Sequence, residues 1–349
     1  MRVVKNLPTL AAAAAGAVLA SSALPIDAAR AQQTQQQTYV MKISTPTIRD
    51  IPNKWMEDFA AGLERDSGGR IKAQLYPASQ LGSIPRTIEG TQFGSIQMVV
   101  VPPEFMVGLD PRFEVMTAPG LVDSQAHGQR VAADSEVLKL MLSLGADRGL
   151  RGVGLFMAEQ SVLVSRIPLR RLADFKGKKI RIFASQFQSE AFERLGITPV
   201  AMTLGDVLPA IHQGTIDGAV TGIGPVANFN MVDAAKFATQ TGQPAIFLIA
   251  DVNKKWFEAL PQDLQQMVEK NAATASLAIN SYAAEKVRES QASFTSKGGE
   301  LITLPPAEHA QMLKTIVSVG PDVSSRNPAL AAAYKIVADA AARTRSASQ

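Results

Sequence analysis

Between Asp174 and Gly224 the sequence leaves little room for anything but short strands alternating with helices. A polar turn, Lys176 to Lys179, leads into a strand at Ile180 to Phe183. A helix follows from about Gln186 to Leu195, then a strand around Pro199 to Met202, a helix over Gly205 to Gln213, and a strand at Ile216 to Val220. Strand–helix alternation at this spacing predicts a parallel or mixed sheet in an α/β domain. Such sheets take ligands in the crevice beyond the carboxyl ends of their strands, and Arg181 lies near that end of its strand.

The amino terminus reads as a targeting segment rather than as part of this fold. Arg2 and Lys5 precede an apolar stretch, Thr9 to Leu24, broken by Gly16 and two serines, and Ala29-Arg30-Ala31 offers a cleavage site before Gln32. Residues 1–31 are therefore expected to be a secretory signal peptide cleaved after Ala31, the alternative being an uncleaved anchor. The chain has no cysteine, which excludes disulfides, thiolate metal sites and a lipid on a cysteine. Together these features predict a soluble periplasmic protein. Cleavage would remove three cations and one carboxylate, taking the formal charge from +4 to +2. With so balanced a charge and no long basic block, a nucleic-acid partner is not expected, and no later apolar run is long enough to span a membrane.

Residues 32–38 read as a disordered polar leader, and order is expected from Tyr39. Strands at 39–44 and 71–76 flank a helix whose apolar side is Trp55, Met56, Phe59 and Leu63. A third strand, Ile96 to Val101, stops at Pro102-Pro103 and puts Glu104 and Phe105 on a loop at its carboxyl end. One long helix is expected over Ser124 to Leu144, and the β-prone run Gly152 to Arg166 is long enough to join two lobes. Ala245 to Asp251 is placed as the return crossing. From Pro261, Leu264, Val268, Ala272, Ala275, Ile279, Tyr282 and Val287 recur at helical spacing, a stripe of about 35 Å at 1.5 Å per residue. The expected architecture is a two-lobe α/β periplasmic-binding-protein fold with hinge strands and a long helix spanning both lobes. Lobe I is assigned to 39–158 with 247–285 returning to it, lobe II to 159–246 with 286–342, and 343–349 to a tail.

Enzyme signatures are missing from the sequence. There is no G-x-S-x-G elbow, no H-E-x-x-H and no phosphate loop. Gly222 to Ala227 matches G-x-G-x-x-A, but Pro225 and its late position argue against a dinucleotide. His127, His212 and His309 fall on separate helices and read as surface or partly buried residues. Lys176, Lys178 and Lys179 read as a solvated turn. Arg181 stands apart, because Ile180 and Ile182 point to one face of the strand and Arg181 and Phe183 to the other. A guanidinium in so apolar a strand needs a partner, either an internal acid or a ligand carboxylate, which its fork matches with two parallel hydrogen bonds. Ser185 and Gln188 form an S-x-x-Q capping box, so the helix start beside Arg181 is expected to turn free N–H groups towards the same crevice.

Several segments, taken together, resemble the solute-binding subunit of tripartite ATP-independent periplasmic (TRAP) transporters. They are FAAGLERDSGGRI at Phe59 to Ile71, YPASQLG at Tyr76 to Gly82, DFKGKKIR at Asp174 to Arg181, GTIDG at Gly214 to Gly218, and Leu260 to Gln265 after Trp256. The resemblance implies a binding protein without catalysis or cofactor that captures an organic acid and delivers it to membrane permease subunits driven by an ion gradient. It implies that Arg181 forms the main salt bridge to the ligand carboxylate, that Thr221 fills a pocket position where the family often has asparagine, and that Pro102 to Glu104 contribute from the first lobe. Some members carry a second arginine in the long strand, where this chain has Glu159, Gln160 and Ser161. With Phe183 and Phe156 placed nearby, and Gln160 at the departing position, a monocarboxylate with an apolar portion is the expected ligand. The rival expectations are the same fold serving a sensor kinase or an ABC permease, and a secreted α/β enzyme acting on a carboxylic acid.

Overall fold

A computed structural model describes residues 37–345. The expected signal peptide and most of the polar leader lie outside the described residues, as do the last four of the tail. In chain order the elements begin β1 (Tyr39–Ser44), α1 (Ile51–Asp66), β2 (Ile71–Tyr76), α2 (Ile84–Phe93) and β3 (Met98–Val101). Then come α3 (Gln125–Ala132), α4 (Ser135–Ser143), β4 (Leu150–Gln160), β5 (Val162–Ser165) and β6 (Lys179–Ile182). The stretch that opened the sequence reading continues as α5 (Gln186–Arg194), β7 (Thr198–Ala201), α6 (Leu204–Gln213) and β8 (Gly218–Thr221). After it lie α7 (Ile223–Asn228), β9 (Phe237–Thr239), β10 (Ala245–Asn253), α8 (Lys254–Glu258) and α9 (Gln262–Ser296). The chain closes with β11 (Glu300–Ile302), α10 (Pro306–Ile316), α11 (Val319–Ser324) and α12 (Pro328–Thr344).

These elements build a mixed α/β fold of two lobes, each on its own sheet. The first sheet has the order β2-β1-β3-β10-β4 and the second β11-β9-β5-β8-β6-β7. In the first, β2, β1 and β3 run parallel, while β10 is antiparallel to both β3 and β4. In the second, β7, β6 and β8 run parallel and β5 is antiparallel to β8 and β9. Strands β3 and β8 are buried along their whole length, so their continuous apolar runs have layers on both faces.

The chain passes between the sheets at β4–β5 and at β9–β10, and once more through α9, which leads from β10 to β11. Gly152 to Arg166 is not one strand: β4 ends at Gln160 and β5 begins at Val162 in the other sheet. The first two passages touch where Ser161 N donates to Pro244 O (3.3 Å) and Gly242 N donates to Ser161 O (3.2 Å). The helix expected over Ser124 to Leu144 is likewise two. Asp134 accepts from Glu136 N (3.0 Å) and Val137 N (3.3 Å), which caps a second helix and ends the first. Helix α9 has 35 residues, about 52 Å at 1.5 Å per residue. It packs on α1 and β4 of the first lobe and on α7 and β11 of the second. Helix α12 packs against α3 and α4. Among the described residues no helix is long and apolar enough to cross a membrane.

Candidate functional site

The carboxyl ends of β1, β3, β4, β6 and β8 converge on one cavity of about 50 Å³. The first lobe lines it with Thr45, Thr47 and Asp50 after β1, Pro102 and Phe105 after β3, and Ala158 and Glu159 at the end of β4. The second lobe contributes Arg181, Phe183, Leu204, Thr221, Gly222 and Pro225.

Arg181 is 0% exposed. Its Nε donates to Met202 O (2.9 Å) and its Nη1 to Val220 O (2.8 Å), so the carbonyls at the ends of the two strands beside β6 fix the plane of the guanidinium. Its Nη2 is buried without a hydrogen-bond partner among the described residues. The ring of Phe183 lies 4.4 Å from Cζ, and Phe105 meets that ring edge-on at 6.0 Å. The alternation read from the sequence, which put Arg181 and Phe183 on one face, thus becomes a cation held over an aromatic ring. Burial pulls the guanidinium down to about 10, so it stays charged at neutral pH.

Glu104 is the internal acid that acts most strongly on this charge, but it makes no hydrogen bond to it. Its Oε1 accepts from Gln188 Nε2 (3.4 Å), and its Oε2 is buried without a partner. Burial pushes its carboxyl up to about 8, although Arg181 pulls the other way. At neutral pH Glu104 is therefore mostly the neutral acid, which leaves the Arg181 charge uncancelled and can itself donate a hydrogen bond to an anion.

The start of α5 differs from the expectation. Ser185 Oγ accepts from Gln188 N (3.3 Å), as a cap should. The Gln188 side chain does not return to Ser185 but accepts from Phe183 N (2.9 Å). The N–H of Gln186 donates to Glu114 Oε2. An internal carboxylate thus occupies the helix end that was expected to face a ligand, and Arg181 is left as the cationic group lining the cavity.

Of the residues singled out in the sequence, Arg181, Thr221, Phe183 and Pro102 line this one cavity, while Glu104 is buried outside its lining and close enough to act on Arg181. Phe156 is packed in the first lobe, its ring stacked on Trp55 at 5.4 Å. Gln160 lies beside the passage between the lobes and lines a separate cavity of about 430 Å³ with Ser161 and Gly242. The sequence reading passed over Thr45, Thr47, Asp50 and a role for the side chain of Glu159. The signal for Thr45 was available, since it follows the last residue of β1 as Pro102 follows β3.

Glu159 accepts from Ile223 N (2.9 Å) and Gly224 N (3.4 Å). This explains the two glycines that mimic a dinucleotide fingerprint: a Cβ on Gly222 would lie 2.0 Å from Glu159 Oε1. Burial, then the neighbouring Asp50, pushes Glu159 up to about 8, and burial raises Asp50 to about 6. Among the described residues no group of three or more acids, histidines or cysteines could hold a metal ion.

Comparison with known proteins places this geometry. The profile of the family described as "Bacterial extracellular solute-binding protein, family 7" (DctP) matches residues 46–323. An uncharacterized protein of Salmonella typhimurium, YiiZ, is 28% identical in an alignment spanning 59% of this chain and 64% of that protein. The C4-dicarboxylate-binding periplasmic protein DctP of Rhodobacter capsulatus is 25% identical over 89% of this chain and 93% of its own length. A TRAP periplasmic solute-binding protein from Desulfovibrio salexigens, solved with bound orotic acid, superimposes with a TM-score of 0.83 at 20% identity. That superposition covers 88% of this chain and 100% of that one.

Proposed function

This chain belongs to the family 7 bacterial extracellular solute-binding proteins, the periplasmic solute-binding proteins of TRAP transporters, and we propose that it holds an organic acid through an ion pair with Arg181 in the cleft between its lobes. The members of this family bind solutes for transport rather than turn them over. The observation that carries the reading is the Arg181 guanidinium itself: charged, buried, fixed by two carbonyls, and with one nitrogen unpaired beside a cavity. Leaving such a donor buried and unbonded costs about 1–3 kcal/mol, more for a charged group. A ligand carboxylate removes that cost.

The apolar lining, with Ile84, Phe105, Phe183, Leu204 and Leu248, supports a ligand with an apolar stretch beyond its carboxylate. Thr221, Pro102 and Glu104 are read as further contacts or as groups that set the charge around Arg181. The lobes that close would be 39–158 with 247–285 and 159–246 with 286–327, with α12 counted in the first because it lies on α3 and α4. Secretion through residues 1–31 and delivery to membrane permease subunits complete the reading.

Replacing Arg181 with alanine tests it. Titration calorimetry with a panel of carboxylic acids should give an affinity loss of about 2–5 kcal/mol, the cost of truncating one partner of a buried ion pair. Arg181→Lys, which keeps the charge but loses the fork, should fall between the two. An acid bound equally well by wild type and Arg181→Ala would refute the assignment.

A further inference from the structure

The cavity that holds Arg181 also carries two acids in its lining. Asp50 and Glu159, 2% and 5% exposed, both line it. They flank one point of the backbone, because a Cβ on Gly224 would lie 3.2 Å from Glu159 Oε1 and 3.4 Å from Asp50 Cβ. Each has a structural duty that uses only part of its capacity. Asp50 Oδ1 accepts from Asn53 N (3.3 Å) at the start of α1, and Glu159 Oε2 accepts from Ile223 N (2.9 Å) at the start of α7.

Among the described residues no cation forms an ion pair with either acid. Lys286 is the weakest influence on Asp50, and the charge acting on Glu159 is that of Asp50. Independently of the acids, the hydroxyls of Thr45 and Thr47 line the same cavity, 1% and 6% exposed, and neither has a hydrogen-bond partner among the described residues. Thr47 is close enough to Asp50 to lower it somewhat, without completing a bond. Two carboxyls and the hydroxyls of Thr45 and Thr47 thus line the same cavity as an unpaired guanidinium nitrogen.

We propose that the acid bound here is zwitterionic, its carboxylate on Arg181 and a cationic nitrogen seated among Asp50, Glu159, Thr45 and Thr47. The inference rests on the carboxylate reading above. A neutral hydroxyl would supply a hydrogen bond but would leave the pair holding a proton in a dry site. An ammonium or amidinium group supplies several donors and the missing charge together. The apolar residues of the same lining fit the hydrocarbon part of an amino acid.

Matched acids that differ only in nitrogen test this. 4-Aminobutanoate, 5-aminopentanoate and leucine are compared by thermal shift and calorimetry with butanoate, pentanoate and 4-methylpentanoate, and with 4-hydroxybutanoate. At least one amino acid should bind tenfold or more tightly than its counterpart without nitrogen. Asp50→Asn and Glu159→Gln keep an acceptor at each helix start and should fold. Each should weaken the amino acid by about 10- to 100-fold, the value of a charge-assisted hydrogen bond, and should not weaken the acid without nitrogen.

If the simple and hydroxy acids bind as tightly as the amino acids while Arg181→Ala abolishes both, the carboxylate reading stands and this inference fails. A preference for the amino acid that survives in both acid variants, or that appears only with added calcium, also overturns it. If no acid of either kind binds the wild-type protein, both readings fall together.

Discussion

Asp251 lies on β10 with both carboxyl oxygens buried and unbonded among the described residues, and burial alone pushes it up to about 8. Glu104 and Glu159 are raised to about 8 as well, and Asp50 to about 6. Each keeps its proton in the folded chain at a pH where the unfolded chain has lost it. The folded state therefore binds more protons between about pH 4 and 8, and stability must fall as pH rises through that window. Thermal unfolding of the unliganded protein should give a midpoint that drops from pH 5 to pH 8. Asp251→Asn should flatten the slope; a slope unchanged by the substitution would mean that Asp251 ionises normally. At this scale the sequence revealed Arg181 and Phe183, because strand alternation is local. It could not reveal Asp50 or Glu159 as partners, since the two are 109 positions apart and meet only across Gly224.

Strand β4 carries Phe156 into the core of the first lobe rather than into the lining of the cavity. Its ring stacks on Trp55, which stacks on Phe59 at 5.2 Å and donates from Nε1 to Ser276 Oγ of α9 (3.0 Å). One buried aromatic column thus ties β4 and α1 to the long helix. Phe156→Leu should cost about 1–3 kcal/mol in urea unfolding, as a shape change in a packed core does, and leave acid binding within twofold of wild type. A loss of affinity without a loss of stability would return Phe156 to the cleft. Elements whose signals are local were legible: β6, α5, β7, α6 and β8 fall within two residues of where periodicity puts them. The break between α3 and α4 was missed because the apolar stripe runs on past it, whereas the Asp134 cap decides the chain's path. The α5 start was misjudged because Glu114, which takes the N–H of Gln186, comes from a turn 72 residues earlier.

The whole molecule is two sheets joined by paired passages at Ser161 and Gly242 to Pro244, with α9 lying along both lobes. So few bonds at the passages suit a hinge, and closure should follow ligand binding. Small-angle scattering should show the radius of gyration falling when a bound acid is added, with no change in Arg181→Ala. An equal contraction in the variant would detach closure from the ion pair. The two-lobe α/β class, the crossings and the cationic strand end were set by the sequence, through periodicity and the cost of burying a charge. Only the tertiary structure decided which groups stand around that charge. It withdrew the α5 helix end, buried Glu104 near Arg181 as a neutral acid, and brought Asp50 and Glu159 together in the same cavity. The physical reason is that pattern along a chain reports which face is buried, while the field inside a cleft is made by residues that meet only when separate strands end at the same place.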